Sequence, residues 1–412
     1  MLKAINPATG ETLREVPEHD EQEVNERLEA AEAAFKSWRR FDFEERARHL
    51  TSVADLLREN MADFARLMTE EMGKTLASAE SEVDKCAWVC DFYAENAERF
   101  LANETVATDA TKSFIRYEPL GPVLAIMPWN FPFWQFFRFA APALMAGNVA
   151  LLKHAANVPG SALAIEAVFR EAGLPAGVVT TLLVSSARVK LLINSPVVRA
   201  VTLTGSDRAG MEVAAEAGRC LKKAVLELGG SDPFIVLSDV DPAEAGRQAA
   251  KARTINNGQS CIAAKRFIVH RDIAEQFIDG FVAGMQALVV GDPIDPDTQL
   301  GPLASVRLAG ELEEQVAASV RLGAIARCGG KRDDAQSAYF PATVLTDIPA
   351  DSPAYSEELF GPVGCVFVAR DATEAIRIAN DTRFGLAASA WTRDAEEQQR
   401  FARELDAGSV FV

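Results

Sequence analysis

The first hundred residues carry the periodicity of amphipathic helices. Over residues 20–39 apolar positions recur at alternating spacings of four and three, which puts them on one helical face. These positions are Val24, Leu28, Ala31, Phe35 and Trp38. The same spacing over residues 50–67 predicts a second helix that closes near Gly73, and a third helix is predicted over 78–100.

From residue 114 the pattern becomes typical of α/β proteins. Residues 114–121 alternate like an exposed strand pair, and 123–127 form a short apolar run that predicts a buried strand. Strands predicted at 149–152, 178–183 and 200–203 alternate with helices at 160–172, 187–194 and 207–217. A second set has strands at 234–237, 266–269 and 364–368, with helices at 241–255, 272–287, 304–322, 373–380 and 394–405. This order predicts βαβ units, mostly parallel sheets and a domain joint near 227–230, where two glycines allow a sharp turn.

Length and charge narrow the possible functions. The 412 residues suffice for two or three domains with substantial cores. A formal net charge of −17 argues against nucleic-acid and anionic-membrane partners, since both need clustered lysine and arginine. Without a signal peptide or an apolar run of about 18 residues, we expect a cytoplasmic protein that acts on a small molecule.

The cysteines do not form a pattern of their own. Six of them are scattered over the chain, which does not predict a disulfide framework, and a metal site would need more ligands nearby. Cys86 and Cys90 lie one helical turn apart among aromatic residues, so we expect them in the core.

Cys261 differs because it ends the run NNGQSC at 256–261, 34 residues after the first residue of ELGG at 227–230. A thiol at a turn that enters a helix N-terminus would have a lowered pKa, which favours the nucleophilic thiolate. Glu227 is the candidate base. The alternatives are a small buried core residue for Cys261 and a surface carboxylate for Glu227.

Two further segments follow predicted strands. In TLTGSDRAG at 202–210, Gly205 and Ser206 precede a helix and are a candidate pyrophosphate site, although the spacing is not the usual dinucleotide fingerprint and Ser206 could equally be an N-cap. In PWNFP at 128–132, Asn130 ends a buried strand and could donate to a developing oxyanion or merely bond its own turn.

Six motifs together resemble the aldehyde dehydrogenase superfamily over the whole chain, in that family's order and spacing. They are PWNFP at 128–132, GN at 147–148 with Lys153, TGS at 204–206, ELGG at 227–230, NGQSC at 257–261 and EELFGP at 357–362. The resemblance implies two Rossmann-like doubly wound parallel-sheet domains, with NAD(P) bound by 1–227 and the nucleophilic cysteine carried by 228–412. It also implies a small β oligomerisation element that includes 111–121, and a homo-oligomer, either a dimer or a tetramer.

The resemblance assigns roles to individual residues. Cys261 attacks an aldehyde, Asn130 and the Cys261 backbone N–H hold the oxyanion, and Glu227 activates water to hydrolyse the thioester. The residues implied to bind the cofactor are Trp129, Asn130, Lys153, His154, Ala155, Ala156, Gly205, Ser206, Leu228, Glu358 and Phe360. In isolation, Glu358 could be one of several acids on a helix.

Cofactor and substrate depend on two positions. Members of the family that are committed to NAD commonly carry an acid three residues after the lysine, whereas this chain has Ala156, so NAD and NADP are both expected. Lys153 and His154 could favour NADP, although His154 could also be a neutral surface residue. Arg138, eight residues after Asn130, matches the succinate semialdehyde dehydrogenases and would bind a carboxylate, the alternative being an internal salt bridge.

Two other functions stay open at this stage. A CoA-acylating aldehyde dehydrogenase would not need the base Glu227, and a catalytically silent structural or binding member would need none of these roles. The family normally continues beyond 408–412 with a substrate-site loop and an assembly tail, so the resemblance does not by itself imply full activity for a form ending at Val412.

Overall fold

The computed structural model describes all 412 residues, and the chain divides into two units on either side of Glu227 and Leu228. The first unit consists of Met1–Asn6, Glu11–Glu71 and Ala79–Glu227, and the second of Pro7–Gly10, Met72–Ser78 and Leu228–Val412. Two short segments from the first hundred residues thus group with the second unit, which the hydrophobic pattern does not indicate.

The elements up to Glu227 begin with two strands and four helices, and strands alternate with helices from Pro122 onward. They are β1 (Leu2–Ile5), β2 (Thr12–Val16), α1 (Glu21–Trp38), α2 (Phe43–Glu59), α3 (Met61–Met72), α4 (Leu76–Phe100), β3 (Glu104–Thr105), β4 (Phe114–Ile115), β5 (Pro122–Met127), α5 (Trp134–Met145), β6 (Val149–His154), α6 (Pro159–Glu171), β7 (Val179–Thr181), α7 (Val189–Asn194), β8 (Ala200–Thr204), α8 (Asp207–Arg219) and β9 (Lys223–Glu227).

The sheet of the first unit is wholly parallel and has the strand order β7-β6-β5-β8-β9. All residues of β5, β6 and β8 are buried, as expected for inner strands of a parallel sheet, although β6 ends in Lys153 and His154 and β8 contains Thr202 and Thr204. From the central strand β5, the chain first adds β6 and β7 on one side of the sheet and then β8 and β9 on the other. The carboxyl ends of β5 and β8 therefore flank a topological switch point, which is where open α/β sheets bind ligands.

The opening hundred residues differ from the prediction in two respects. The antiparallel strands β1 and β2 were not predicted. The predicted second helix is two helices, because α2 ends at Glu59 and α3 begins at Met61. The break lies at Asn60, whose side chain donates to the Leu56 carbonyl in competition with the helical pattern. Both α1 and α2 begin with capping boxes, in which Asp20 pairs with Glu23 and Asp42 with Glu45.

The first unit also contains a small antiparallel β ribbon with exposed residues. Its strands β3 and β4 pair Glu104 with Ile115 and Thr105 with Phe114, so the predicted strand pair within 114–121 is instead formed with an earlier segment. Phe114 and Ile115 are both exposed.

The second unit contains β10 (Pro233–Val236), α9 (Pro242–Thr254), β11 (Arg266–His270), α10 (Ala274–Gln286), α11 (Val306–Leu322), β12 (Ile325–Cys328), β13 (Thr343–Thr346), α12 (Pro353–Ser356), β14 (Val363–Ala369), α13 (Ala372–Asn380), β15 (Ala387–Trp391), α14 (Ala395–Glu404) and β16 (Ser409–Phe411). Its sheet has the order β12-β13-β14-β11-β10-β15-β16, and every pairing except that of β12 with β13 is parallel. Both sheets agree with the predicted α/β class. In neither unit is any helix both long and apolar enough to span a bilayer.

Candidate active site

Predicted site residues of the first unit meet at the carboxyl edge of its sheet. Asn130 lies just after β5, Lys153 and His154 end β6, Thr204 ends β8 and Glu227 ends β9. Parallel strands bring these ends to the same edge. Trp129 is half-buried in the turn beside Asn130, and Asn130 itself is buried.

His154 is not a surface residue, and it does not add positive charge to this edge. Its side chain is 5% exposed, and burial lowers its pKa to about 4. Nε2 donates to the Pro132 carbonyl at 2.8 Å, and Nδ1 accepts the N–H of Ala155 at 2.9 Å. Both ring nitrogens of this neutral imidazole are engaged, Nε2 with the Asn130 turn and Nδ1 with the backbone directly after β6, so the expectation that His154 favours a 2′-phosphate is wrong.

The other side of the Asn130 turn is held by Glu82, which sequence reasoning missed. This buried carboxylate on α4 accepts the N–H groups of Phe133 and Trp134, both at 2.9 Å. It occupies the N-terminus of α5, where unpaired N–H groups and the helix dipole favour an anion. Glu82 lies on the buried face of α4 between Ala79 and Val83, and an acid at an apolar position was the available signal.

Lys153 does carry charge to the carboxyl edge. It is buried, which lowers its pKa, and its Nζ lies 3.4 Å from the hydroxyl of Ser186 in the turn after β7. No carboxylate stands at Ala156, which is exposed. An ammonium and a hydroxyl at this distance can both donate to one phosphate group, so the residues present fit a nicotinamide cofactor with a 2′-phosphate. Ser186 was not predicted.

The segment at Gly205 fits a pyrophosphate less fully than the sequence indicates. The Gly205 N–H donates to the Glu227 carbonyl at 3.0 Å, so it is not available to a phosphate. Ser206 is the N-cap of α8 and accepts the N–H of Ala209 at 3.4 Å. The pyrophosphate role stays a prediction that depends on the Ser206 hydroxyl and the helix terminus.

An apolar groove of about 600 Å³ runs along the first unit's sheet towards its carboxyl edge, between α4, α5 and strands β5, β8 and β9. Its polar end contains Arg138, whose guanidinium donates to the Thr204 hydroxyl at 3.2 Å and lies 3.5 Å from the Glu227 carboxylate. The internal salt bridge considered as an alternative therefore exists, and its acid is the expected base itself. Both side chains stay partly exposed, so the pair can exchange partners.

In the second unit, Cys261 lies half-buried in the nucleophile loop, residues 256–264. Asn256, Asn257 and Gly258 have φ of 55°, 56° and 76°, a left-handed run that asparagine and glycine tolerate. A Cβ at Gly258 would lie 2.2 Å from the carbonyl carbon of Gly361, which excludes any other residue. No helix starts at Cys261, because the loop leads directly into β11 at Arg266. The expected helix N-terminus is therefore wrong.

Two buried cations, rather than a helix N-terminus, contact the nucleophile loop. Lys265, 2% exposed, donates to the carbonyls of Ser260, Cys261 and Ala263 at 2.8, 3.0 and 3.2 Å. Arg253 donates to the carbonyls of Gly258, Ala264 and Gly361. Burial lowers the pKa of both side chains, to about 10 for Arg253. Since a trans peptide points its N–H opposite to its C=O, a Ser260 carbonyl directed at Lys265 turns the Cys261 N–H away from it.

Glu358 joins this cluster. Its carboxylate lies 3.2 Å from Lys265 Nζ and accepts the Gly230 N–H at 3.2 Å, so it is not merely a solvated acid. A Cβ at Gly229 would lie 2.5 Å from Glu358 Oε2, and one at Gly230 would lie 2.5 Å from the Cys261 carbonyl oxygen. Neither glycine has a positive φ. The pair therefore serves close approach rather than the expected sharp turn.

Leu228 and Phe360 are both half-buried in the second unit. Their cofactor contacts stay predictions. Lys265 and Arg253 were missed as site residues, although Arg253 follows Ala249 and Ala250 on the buried face of α9. As with Glu82, a charged residue within an apolar helical face was the feature of the sequence that could have identified Arg253.

Comparison with known proteins extends these observations to the whole chain. The model of the aldehyde dehydrogenase family matches residues 1–412. A probable succinate-semialdehyde dehydrogenase (NADP+) of Synechocystis sp. is 51% identical over 411 residues, covering 100% of this chain and 90% of that protein. The succinic semialdehyde dehydrogenase of Streptococcus pyogenes, solved with NADP+ as the cofactor, is 36% identical with a TM-score of 0.97, covering 100% and 90%. Lactaldehyde dehydrogenase of Escherichia coli is 33% identical with a TM-score of 0.95, covering 99% and 86%. The chain shares their α/β fold and belongs to the aldehyde dehydrogenase family.

Proposed function

We propose that this protein oxidises succinate semialdehyde to succinate with NADP+ as the hydride acceptor. The observation that supports this substrate is the position of the Arg138 guanidinium at the polar end of an apolar groove. A short aliphatic chain suits the groove, and a carboxylate is the natural bidentate partner of arginine. The name of the Synechocystis relative supports the same substrate.

The nucleophile in this proposal is the Cys261 thiolate. It forms a bond to the aldehyde carbon, and the electron pair of the carbonyl π bond moves to oxygen. The Asn130 amide and the Cys261 backbone N–H donate hydrogen bonds to that oxyanion. Lys265 supports this task, because it draws the Ser260 carbonyl in the opposite direction.

When bound, the nicotinamide supplies the acceptor for the hydride that leaves the same carbon, and Cys261 is left as a thioester. Glu227 then removes a proton from water as the water oxygen adds to the thioester carbon. The carbon–sulfur bond breaks, which releases the acid and restores the thiolate.

NADP+ is preferred in this proposal for electrostatic reasons. The ammonium of Lys153 and the hydroxyl of Ser186 offer donors to a 2′-phosphate, and Ala156 removes the carboxylate that would repel it. The Synechocystis relative is named for NADP+, and the Streptococcus pyogenes relative was solved with it. NAD+ should also be used, because neither the Lys153 ammonium nor the Ser186 hydroxyl excludes a cofactor that lacks the 2′-phosphate.

The exposed apolar side chains of the β3–β4 ribbon suit a contact between copies, so we propose a homo-oligomer. We also propose a cytoplasmic location, as the sequence analysis expects.

An aldehyde panel run with NADP+ and NAD+ in parallel tests the proposal, with reduced nicotinamide measured by absorbance. We expect kcat/KM to be highest for succinate semialdehyde with NADP+, and Cys261→Ser to abolish turnover. Glu227→Gln should accumulate a thioester on Cys261 that mass spectrometry detects. A strict requirement for coenzyme A, or equal rates with butanal and lactaldehyde, would refute the proposed reaction.

A further inference from the structure

The turn that carries Ser186 is bonded to a segment far from it in sequence. Residues 183–188, the β7 turn, follow β7 at the carboxyl edge of the first unit's sheet. The His19 N–H donates to the Leu183 carbonyl at 2.8 Å, and the Leu183 N–H donates to His19 Nδ1 at 3.2 Å. Residues 18–20, which lie between β2 and α1, therefore pair with the start of the β7 turn.

Two charged side chains extend this pairing along the β7 turn. The Ser185 N–H donates to the Glu18 carboxylate at 2.8 Å, and this bond lowers the pKa of Glu18. At the far end of the turn, the Arg188 guanidinium donates to the carbonyls of His19 and Asp20. Bonds to one short segment thus hold both ends of the turn.

The 18–20 segment is itself fixed in place. Asp20 is the N-cap of α1 and forms a capping box with Glu23. His19 is buried, which lowers the pKa of its ring, so the ring is neutral near pH 7 and Nδ1 can accept the Leu183 N–H. The β7 turn is therefore held against the anchored start of a helix.

The position of the β7 turn decides what the Ser186 hydroxyl can reach. Ser186 is exposed, and its hydroxyl lies 3.4 Å from Lys153 Nζ. A hydrogen bond needs its donor within about 3.2 Å of the acceptor, so a small shift of the turn would remove one of the two donors from a shared phosphate. Resting on the proposed use of NADP+, we propose that Glu18 and His19 are positioning residues, which hold the Ser186 hydroxyl beside Lys153 and so select a 2′-phosphate over a 2′-hydroxyl.

Two changes at Glu18 separate its hydrogen bond from its charge. Glu18→Gln keeps an acceptor for the Ser185 N–H and removes the charge, whereas Glu18→Ala removes both. On charge alone, both variants should bind a 2′-phosphate more tightly, because a carboxylate repels it. We expect Glu18→Ala instead to weaken binding of adenosine 2′,5′-bisphosphate about fivefold, and Glu18→Gln to bind it at least as tightly as the wild type. Calorimetric titration of each free enzyme measures both, and the Kd of AMP, which lacks the 2′-phosphate, should change less than about twofold.

Changes at His19 test the same role through the kinetics of the enzyme. His19→Leu removes the acceptor and leaves the Leu183 N–H unpaired, whereas His19→Asn offers Oδ1 in the place of Nδ1. We expect His19→Leu to raise KM for NADP+ about tenfold, with kcat and the KM for NAD+ within about twofold of the wild type. His19→Asn should recover most of the loss. The matched control is His49→Leu, which changes a partly buried histidine of the same unit whose Nδ1 lies 3.4 Å from the Ala172 carbonyl oxygen, and it should alter neither KM.

Ser186→Ala separates this inference from the proposed cofactor. If that variant binds adenosine 2′,5′-bisphosphate as tightly as the wild type, the proposed phosphate site fails and the inference fails with it. If Ser186→Ala weakens this binding, while Glu18→Ala and His19→Leu keep the wild-type preference for the bisphosphate over AMP or lose affinity for both equally, only the positioning role fails. Should His19→Leu not fold by circular dichroism, the comparison of Glu18→Ala with Glu18→Gln decides alone.

Discussion

At the scale of single residues, burial decides what His154 contributes. A histidine next to Lys153 could have been a second cation for a phosphate, but its two ring nitrogens hold Pro132 and Ala155 and its charge is suppressed. The residue therefore acts on the Asn130 turn and on stability.

This gives a prediction for pH. The pKa of His154 is about 4 in the folded protein, against about 6.5 when unfolded. Because the folded value is the lower one, the contribution of the neutral ring is complete above about pH 6.5 and is lost as pH falls towards 4. We expect the unfolding free energy of the wild type to fall by about 3 kcal/mol more than that of His154→Gln between pH 7.5 and 4. The unfolding free energies can be measured by urea titration at each pH. If they fall by the same amount in the two proteins between pH 7.5 and 4, the assignment is contradicted.

The sequence gives a signal for some candidate site residues and none for others. Cys261, Glu227 and Asn130 stand in short motifs, and the resemblance to the aldehyde dehydrogenases assigns roles to them that stay predictions. The bond from Gly205 to the Glu227 carbonyl could not be predicted, because it depends on the pairing of β8 with β9. Glu82 reaches the Asn130 turn from 51 residues away in sequence, which no local pattern encodes.

At the scale of elements, the nucleophile loop depends on Lys265. Replacing this ammonium by an apolar chain leaves three carbonyls without their donor and Glu358 without its cation. We expect Lys265→Met to lower kcat at least about tenfold, on the basis of about 1–3 kcal/mol for each unsatisfied group, and to slow alkylation of Cys261 by iodoacetamide.

The exposed Lys251 on α9 supplies the comparison, and Lys251→Met should leave both rates unchanged. Lys265→Arg, which keeps the charge, should retain more activity than Lys265→Met. If Lys265→Met stays folded by circular dichroism and alkylates at the wild-type rate, Lys265 does not position the nucleophile.

Several elements that periodicity missed lack a clear sequence signal, for different reasons. Helix α5 is almost wholly apolar, so few polar positions mark its exposed face, and Pro142 within it suggests a break. Strands β9 and β15 are five residues long, and β15 consists largely of alanine and serine, which have low strand propensity. Long helices with one buried face, such as α1, are predicted closely. Burial of that face requires apolar residues at helical spacing, and this spacing is visible in the sequence.

At the scale of the whole molecule, association must overcome a net charge of −17 per copy. Phe114 and Ile115 on the β3–β4 ribbon are 44% and 48% exposed, which is costly unless another copy covers them. We expect the double change of Phe114→Asp and Ile115→Asp to reduce the mass measured by sedimentation, and added salt to favour the larger species by screening repulsion. Leu191→Asp changes an exposed apolar residue elsewhere and should leave the mass unchanged. A ribbon variant with the wild-type mass would show that assembly, if present, uses another surface.

The ion pair between Arg138 and Glu227 also bears on how a catalytic cycle ends. When an acid product departs, the guanidinium it leaves can return to Glu227 rather than stand unpaired in an apolar groove. Release then exchanges one carboxylate partner for another, so tight recognition of the substrate does not require slow loss of the product.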